Sequence, residues 1–563
     1  MIRDQIIKLI KKASGEPNIQ LEFPENQAFG DYSTNVALVL AKKENKSPRE
    51  VAEEIVAKLK SLKELNVLVD KIEVAGPGFI NFWLKKDVLI DNLIQIAQEK
   101  EKYGNSNIGK GKIVIIDYSS PNIAKPFGIG HLRSTIIGQA LYNLYKTLGY
   151  DVIGDNHLGD WGTQFGKLIY MIKKKNVKDF DIQKLEELYV EFHKESEDEA
   201  KAEQMESGAR EWFKKLEEGD KEARQIWQKC VDISLDEFNR IYKILGINID
   251  FAFGESYYES EMKELMSDPK VQRTLESGED GAEIVDLSSE GIKTPLMFLK
   301  SDGATTYATR DLATLRFRQR KWAPYLVIYE VGVEQTLHFQ QVFAAAKLLG
   351  IVPKDIKLFH TAHGLYLAPD GKKFSTRHGK TIMLEEVLDE AVERARKLGN
   401  NSEEVAKQVG VGAIKYFDLM HSVQSDVVFD WDKIMNMEGN SGPYLQYTFA
   451  RCNSVIQKAH DLKGFSDAKS LQGSSEKINS EEEILLRTLI KFDEIILSAA
   501  SGFSPNLLCN YLFDVASKFN SFYNTNRILG SENETFRLSL TNGVGQVLKN
   551  GLKLLGIECP EKM

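Results

Sequence analysis

KIVIIDYSSPNIAKPFGIGHLRSTIIG (112–138) reads as a strand, a loop and a helix, and its texture decides the fold. The run KIVIIDY has the unbroken apolar character of a strand covered on both faces. Pro121 and Pro126 then fix the path of a loop, Gly128 and Gly130 let backbone approach a ligand closely, and His131 stands where a helix begins. Helix-end N–H groups, the histidine and Lys125 together suit a polyphosphate. On the residues alone, a tight strand-to-helix connection with no ligand accounts for the turn as well.

Outward from this stretch the same pattern returns. YDVIGDNH (150–157) precedes a helix after Gly159, YLVIYEVGVEQ (325–335) precedes one from about Thr336, and KLFHTAHGLYL (357–367) follows. Alternating strands and helices predict an α/β Rossmann-type domain with a parallel sheet over 109–400. Insertions at about 175–300 interrupt it, first highly charged and helical, then mixed. Residues 1–108 read as an α+β module, with helices at about 2–13 and 87–100 and extended segments QLEF and KIEVAG–FINFWL. Another helix starts at SPRE (47–50), where Ser47 is expected to cap, Pro48 to occupy the first turn and Glu50 to complete a capping box. Residues 401–563 read as all-α, with a loop at GFSDAKSLQGSSEKINS (464–480).

A chain of 563 residues exceeds one core, so several domains are expected. Its 42% hydrophobic and 28% charged content is that of a soluble globular protein. No apolar stretch is long enough for a membrane span, and MIRDQIIKLIKKASG lacks the unbroken apolar core of a secretory leader, which predicts a cytoplasmic protein. Four scattered cysteines with no CxxC pair predict neither a zinc site nor a disulfide framework. A net charge of −9 speaks against a protein wrapped in nucleic acid, although RNA binding needs only a local basic face. No DNA partner is expected.

Four further segments carry chemistry. APDGKKFSTRHGKT (368–381) has the composition of a basic loop, and by itself suits a solvated hairpin. TTYATRDLA (305–313) spaces Tyr307 and Asp311 to share one helical face, and a carboxylate is what a guanidinium fork requires. Tyr444, Tyr447 and Arg451 fall on one helical face, either as core or as a platform for RNA. In GPGFINFWL (76–84), Phe79 and Asn81 are either a core residue and a turn residue, or a stacking ring and a reader of a base edge.

SSPNIAKP…GHLRST, continued by NHLGDWGTQFG (156–166), resembles the class I arginyl-tRNA synthetases, and the resemblance covers nearly the whole chain. GIGH (128–131) resembles the family's HIGH motif with Gly128 in place of the first histidine, which removes one donor to the phosphates. KFSTR (373–377) resembles the KMSKS loop with Thr376 in place of a lysine, and Lys125 resembles the lysine that compensates.

The resemblance implies that Lys125, His131 and Lys373 act on the phosphates, with Gly128, Gly130, His338 and Ser375 also at ATP. It implies that Asp117 and Asn122 hold the arginine amino group, and that Tyr307, Asp311 and Gln335 line its pocket, with Gln164 a further candidate. Phe79 and Asn81 would then read the tRNA D-loop from the N-terminal module. Tyr444, Tyr447 and Arg451 would contact tRNA from a helical anticodon-binding domain. The implied reaction is attack of the arginine carboxylate on ATP, brought with magnesium, followed by transfer of arginine to tRNA by a monomer that needs tRNA for activation. Alignment and positive charge suffice for such a step, and no protein nucleophile is needed. Two rivals stand: a class I synthetase for another amino acid, and a tRNA-binding paralogue whose catalysis has lapsed at Gly128.

Overall fold

Val114, Ile115 and Ile116 are fully buried in the strand Ile113–Asp117, which is why this run carries no polar alternation. The computed structural model describes residues 1–372, 383–399, 401–463 and 478–563. The strand is interior to a four-stranded parallel sheet with spatial order Lys357–His360, Leu326–Tyr329, Ile113–Asp117, Asp151–Asp155. Register places Asp117 beside Asp155 on one side and Tyr329 on the other. The second strand in sequence thus lies on one flank of the first and the third on the other. In a parallel sheet that switch opens a crevice at the carboxyl ends of the two strands it separates.

Helix Leu132–Thr147 crosses from the first strand to the second, and Thr336–Leu348 from the third to the fourth. The first crossover lies very close to the sheet. A Cβ at Gly138 would stand 2.3 Å from that of Tyr118, so the approach depends on glycine. Between the second and third strands the charged insertion folds as helices Thr163–Lys174, Ile182–Glu195, Glu199–Glu217 and Lys221–Leu245. Asp181, Asp198 and Asp220 each cap one of the last three by accepting a first-turn amide. A three-stranded antiparallel sheet (Glu276–Ser277, Glu283–Val285, Leu296–Leu299) and helix Tyr307–Trp322 complete the domain.

In the N-terminal module, helices Ile2–Ser14, Val36–Glu44 and Pro48–Lys60 accompany antiparallel strands Tyr32–Thr34, Phe79–Leu84 and Val69–Ala75. Two local expectations are corrected. Ser47 is the N-cap but its side chain makes no capping bond, so no capping box forms there, and Pro48 at the first turn starts the helix. QLEF supplies only a single bridge, Glu22 to Ser33. The module rests on the C-terminal helices: the Tyr32 hydroxyl donates to Glu494 at 2.5 Å, and Arg487 pairs with Asp31.

The C-terminal part contains helices Glu403–Leu419, Gly442–Lys463, Ser480–Leu489, Phe492–Ser501, Asn506–Thr525 and Glu534–Leu554. It is not wholly helical, because Val427–Val428 pairs in parallel with Tyr366–Leu367. Most of the loop expected at 464–480 lies outside the described residues. No helix among the described residues is long and apolar enough to cross a membrane.

Replacing glycine by alanine in an exposed helix usually stabilises it by about 1 kcal/mol. At Gly138 the sign should reverse. Gly138→Ala is expected to destabilise the parallel-sheet domain by about 1–3 kcal/mol, seen as a lowered Tm in calorimetry. An unchanged or raised Tm would contradict the packing described.

Candidate active site

Between the first strand and its helix the chain passes through three left-handed residues that are not glycine: Ser119 (φ 73°), Ser120 (φ 45°) and Ala124 (φ 64°). Each such residue costs about 1–3 kcal/mol and persists only where its surroundings over-determine it. Here each strained residue has its amide caught by a side chain from elsewhere. Ser134 Oγ accepts from Ser119, Asn156 Oδ1 from Ser120 and Ser234 Oγ from Ala124, all at 2.9 Å. The three acceptors come from the crossover helix, the loop after the second strand and the insertion helix Lys221–Leu245. The held loop buries Ile123 and Phe127 and leaves Asn122, Lys125 and Gly130 exposed at the carboxyl edge of the sheet.

The half-buried His131 ring has its Nδ1 sealed from solvent with no partner. Burial, reinforced by the charge of Lys125, lowers its pKa below the ordinary histidine value against an opposing contribution from the Gly128 carbonyl. The imidazole is therefore neutral at pH 7, with one nitrogen free to donate. Lys125 Nζ stands 5.4 Å from the ring centre of Tyr189 on the insertion. A Cβ at Gly130 would meet nothing within 4 Å, so space opens on that side. Gly128 has φ −83° and ψ 164°, an extended conformation open to any residue.

Gly128 also forms an antiparallel bridge with Met383, and the Leu384 amide donates to the Phe127 carbonyl at 2.9 Å. The chain just after the basic 368–381 segment is thus stitched to the first loop. Lys373 and Ser375 themselves lie outside the described residues. A buried arginine that the sequence reading missed, Arg133, strengthens the same junction. Its guanidinium donates to the carbonyls of Gly364 (2.9 Å) and Ser425 (2.7 Å) and pairs with Asp418 at 3.2 Å.

Asp117 is almost sealed, accepting from Ser120 Oγ at 3.0 Å and from Arg318 at 2.6 Å. Arg318, fully buried on helix Tyr307–Trp322, also pairs with Asp155 at 2.7 Å and so ties two strand ends to that helix. Burial raises the Asp155 pKa and the Arg318 charge opposes it. Asp117 is thereby committed to an internal arginine, whereas Asn122 is open to solvent.

Tyr307 begins the same helix, 73% exposed, after a Thr306–Thr309 capping box. One turn on, Asp311 Oδ2 lies 2.5 Å from His338 Nε2, joining a residue expected at arginine to one expected at ATP. Gln335 is exposed at the N-cap of His338's helix, and Gln164 is half-buried. Nearby, Arg310 pairs with Glu255 at 2.6 Å, and burial raises the Glu255 pKa against that pairing.

Away from the crevice, Phe79 is exposed, while Asn81 is buried and accepts from Ser33 Oγ at 2.7 Å. On the helical domain, Arg451 lies between the partly exposed rings of Tyr447 (4.8 Å) and Tyr523 (5.1 Å). Asn520 accepts from Arg451 at 2.5 Å and donates to the Tyr444 hydroxyl at 2.9 Å, fixing this group. Tyr447, Arg451 and Tyr523 form a surface platform, and Tyr444 supports it from beneath.

Comparison with known proteins agrees in order and extent. Residues 1–84 match the arginyl tRNA synthetase N terminal domain, 92–431 the tRNA synthetases class I (R) catalytic domain, and 445–563 the DALR anticodon binding domain. A Clostridium botulinum protein named arginine–tRNA ligase is 40% identical over 559 residues, covering 96% of each chain. The crystal structure of Plasmodium falciparum arginyl-tRNA synthetase superposes with a TM-score of 0.82 at 28% identity, covering 100% of this chain and 98% of that one. The Thermus thermophilus arginyl-tRNA synthetase structure shares the fold, with a TM-score of 0.84 at 23% identity over all of both chains.

Ser234→Ala would leave the buried Ala124 amide without an acceptor. It is expected to lower stability by about 1–3 kcal/mol. Steady-state kinetics should show kcat/KM for ATP reduced about tenfold or more if the loop expected at the phosphates loses its anchor. Unchanged kinetics and Tm would show that the loop holds its path without Ser234.

Proposed function

The chain belongs to the class I arginyl-tRNA synthetase family, and from that premise we propose that its carboxyl-edge crevice activates L-arginine with ATP and passes arginine to the 3′ end of its tRNA. The observation that carries this reading is the 2.5 Å contact between Asp311 and His338. It sets the acid suited to a guanidinium against a residue of the nucleotide side, at the point where a parallel sheet opens its crevice. The relatives named arginine–tRNA ligase speak against both rival readings.

In the proposed mechanism arginine lies with its guanidinium toward Asp311, Tyr307 beside it and Gln335 at the rim. Asn122 receives the amino group, and Asp117 acts from behind through the Ser120 and Arg318 contacts that fix the loop. The arginine carboxylate then attacks the α-phosphate in line, and pyrophosphate leaves. Lys125, neutral His131 and the amides near Gly130 stabilise the charge that builds on the phosphate oxygens, with Lys373 and Ser375 supplied by the second loop. Magnesium enters with ATP as part of the substrate and offsets the charge of the departing pyrophosphate. A site that pairs a guanidinium with a carboxylate, here the half-buried Asp311, rejects neutral analogues. For the RNA we assign Phe79 to the D-loop, with Asn81 fixing the strand behind it, and the Tyr447–Arg451 platform to the anticodon arm, with Tyr444 as its support. The enzyme is proposed to work as a monomer in the cytoplasm.

Two measurements test this. Asp311→Asn is expected to lower kcat/KM for arginine about 100- to 1,000-fold while leaving KM for ATP nearly unchanged, because the guanidinium loses its charged partner whereas the amide oxygen can still accept from His338. A loss shared equally between both substrates would overturn the assignment of Asp311. ATP–pyrophosphate exchange should require tRNA, and exchange at full rate without it would contradict tRNA-dependent activation.

A further inference from the structure

The amino-end side of the same sheet carries a second cavity, of about 480 Å³, between the catalytic domain and the C-terminal helices. Its wall includes Tyr150, Tyr325, Lys347, Lys357, Phe359 and Phe503. Tyr150 and Tyr325 each immediately precede a strand and Lys357 begins one, so the cavity opens on the edge opposite the catalytic loops. The two sites are roughly 15 Å apart along the strands.

Its chemistry is specific. The Tyr150 and Tyr325 rings are near-parallel, with 25° between planes and centroids 6.4 Å apart. Lys112 and Lys357 place their ammonium groups 5.0 and 4.9 Å from the Tyr325 ring centre. Among the described residues Lys112, Lys347 and Lys357 form no ion pair, and the wall contains no acid. In a chain of net charge −9, three unpaired lysines around aromatic rings are a local reversal of sign.

Backbone strain marks the same place. Phe503 is held left-handed at φ 51°, a region bulky side chains avoid, and its ring stacks on Phe359 at 3.7 Å with 14° between planes. Strain of this kind collects where a surface is kept in shape for binding.

We propose that this cavity binds a nucleotide, the base lying on the tyrosine faces and the phosphate meeting the lysines. Stacking accepts any base, and lysine ammonium groups free of ion pairs favour an anion. The inference does not depend on the assignments at the catalytic edge. The nucleotide has two sources, a free mononucleotide or a residue of the bound tRNA, and the test separates them.

Uridine 5′-monophosphate serves as the probe, because it is not a substrate of the catalytic site. Its binding to the full-length protein is measured by ligand-observed NMR, with uridine and inorganic phosphate as controls, for wild type and for Lys347→Glu/Lys357→Glu. The expected result is saturable binding near about 1 mM that weakens about tenfold or more in the double variant, with both controls binding more weakly. If the probe does not bind but the variant raises KM for tRNA about fivefold or more at unchanged KM for ATP and arginine, the source is the tRNA. Probe binding equal in both proteins, or neither effect, would overturn the proposal. Matching Tm values would show that the variant is folded.

Discussion

The catalytic edge depends on a loop held against its own backbone preference. Ser119, Ser120 and Ala124 occupy conformations that cost free energy, and three side chains from three different elements hold their amides. The cost is recovered only when the crossover helix, the second strand's loop and the insertion helix are all in place. The insertion is therefore no appendage. Through Ser234 it shapes the backbone that presents Asn122, Lys125 and His131.

Two buried arginines extend this control in different directions. Arg318 joins Asp117 and Asp155 at the ends of neighbouring strands and fixes the helix that carries Tyr307 and Asp311. Arg133 joins the first crossover helix to Gly364 and Ser425, on the approach to the second basic loop and beyond it. Removing one partner from such a buried pair typically costs about 3–5 kcal/mol, because an unpaired charge stays behind. The first loop, the helix that carries Tyr307 and Asp311, and the segments around Gly364 and Ser425 are thus parts of one connected structure.

Much of this was legible in the sequence. The four sheet strands are apolar runs with glycine- or proline-marked ends, and their alternation with helices predicted a parallel sheet, whereas the strand order and its switch point came only from the structure. The candidate site residues were singled out by the resemblance of segments at strand ends and helix starts. Other features leave no mark in residue type. Nothing in RFRQRK separates Arg318, with a fully buried side chain, from Arg320, 57% exposed two residues later. Left-handed backbone at serine and alanine has no compositional signature. Asn81 read equally as a turn or a base reader, and only the strand pairing shows its side chain spent on Ser33.

The most direct test of the account is aminoacylation of total tRNA by the full-length protein, run separately with each standard amino acid. The account predicts ATP-dependent charging with arginine and background levels with every other amino acid, despite glycine at position 128. Charging with a different amino acid, or no charging with arginine, would contradict it.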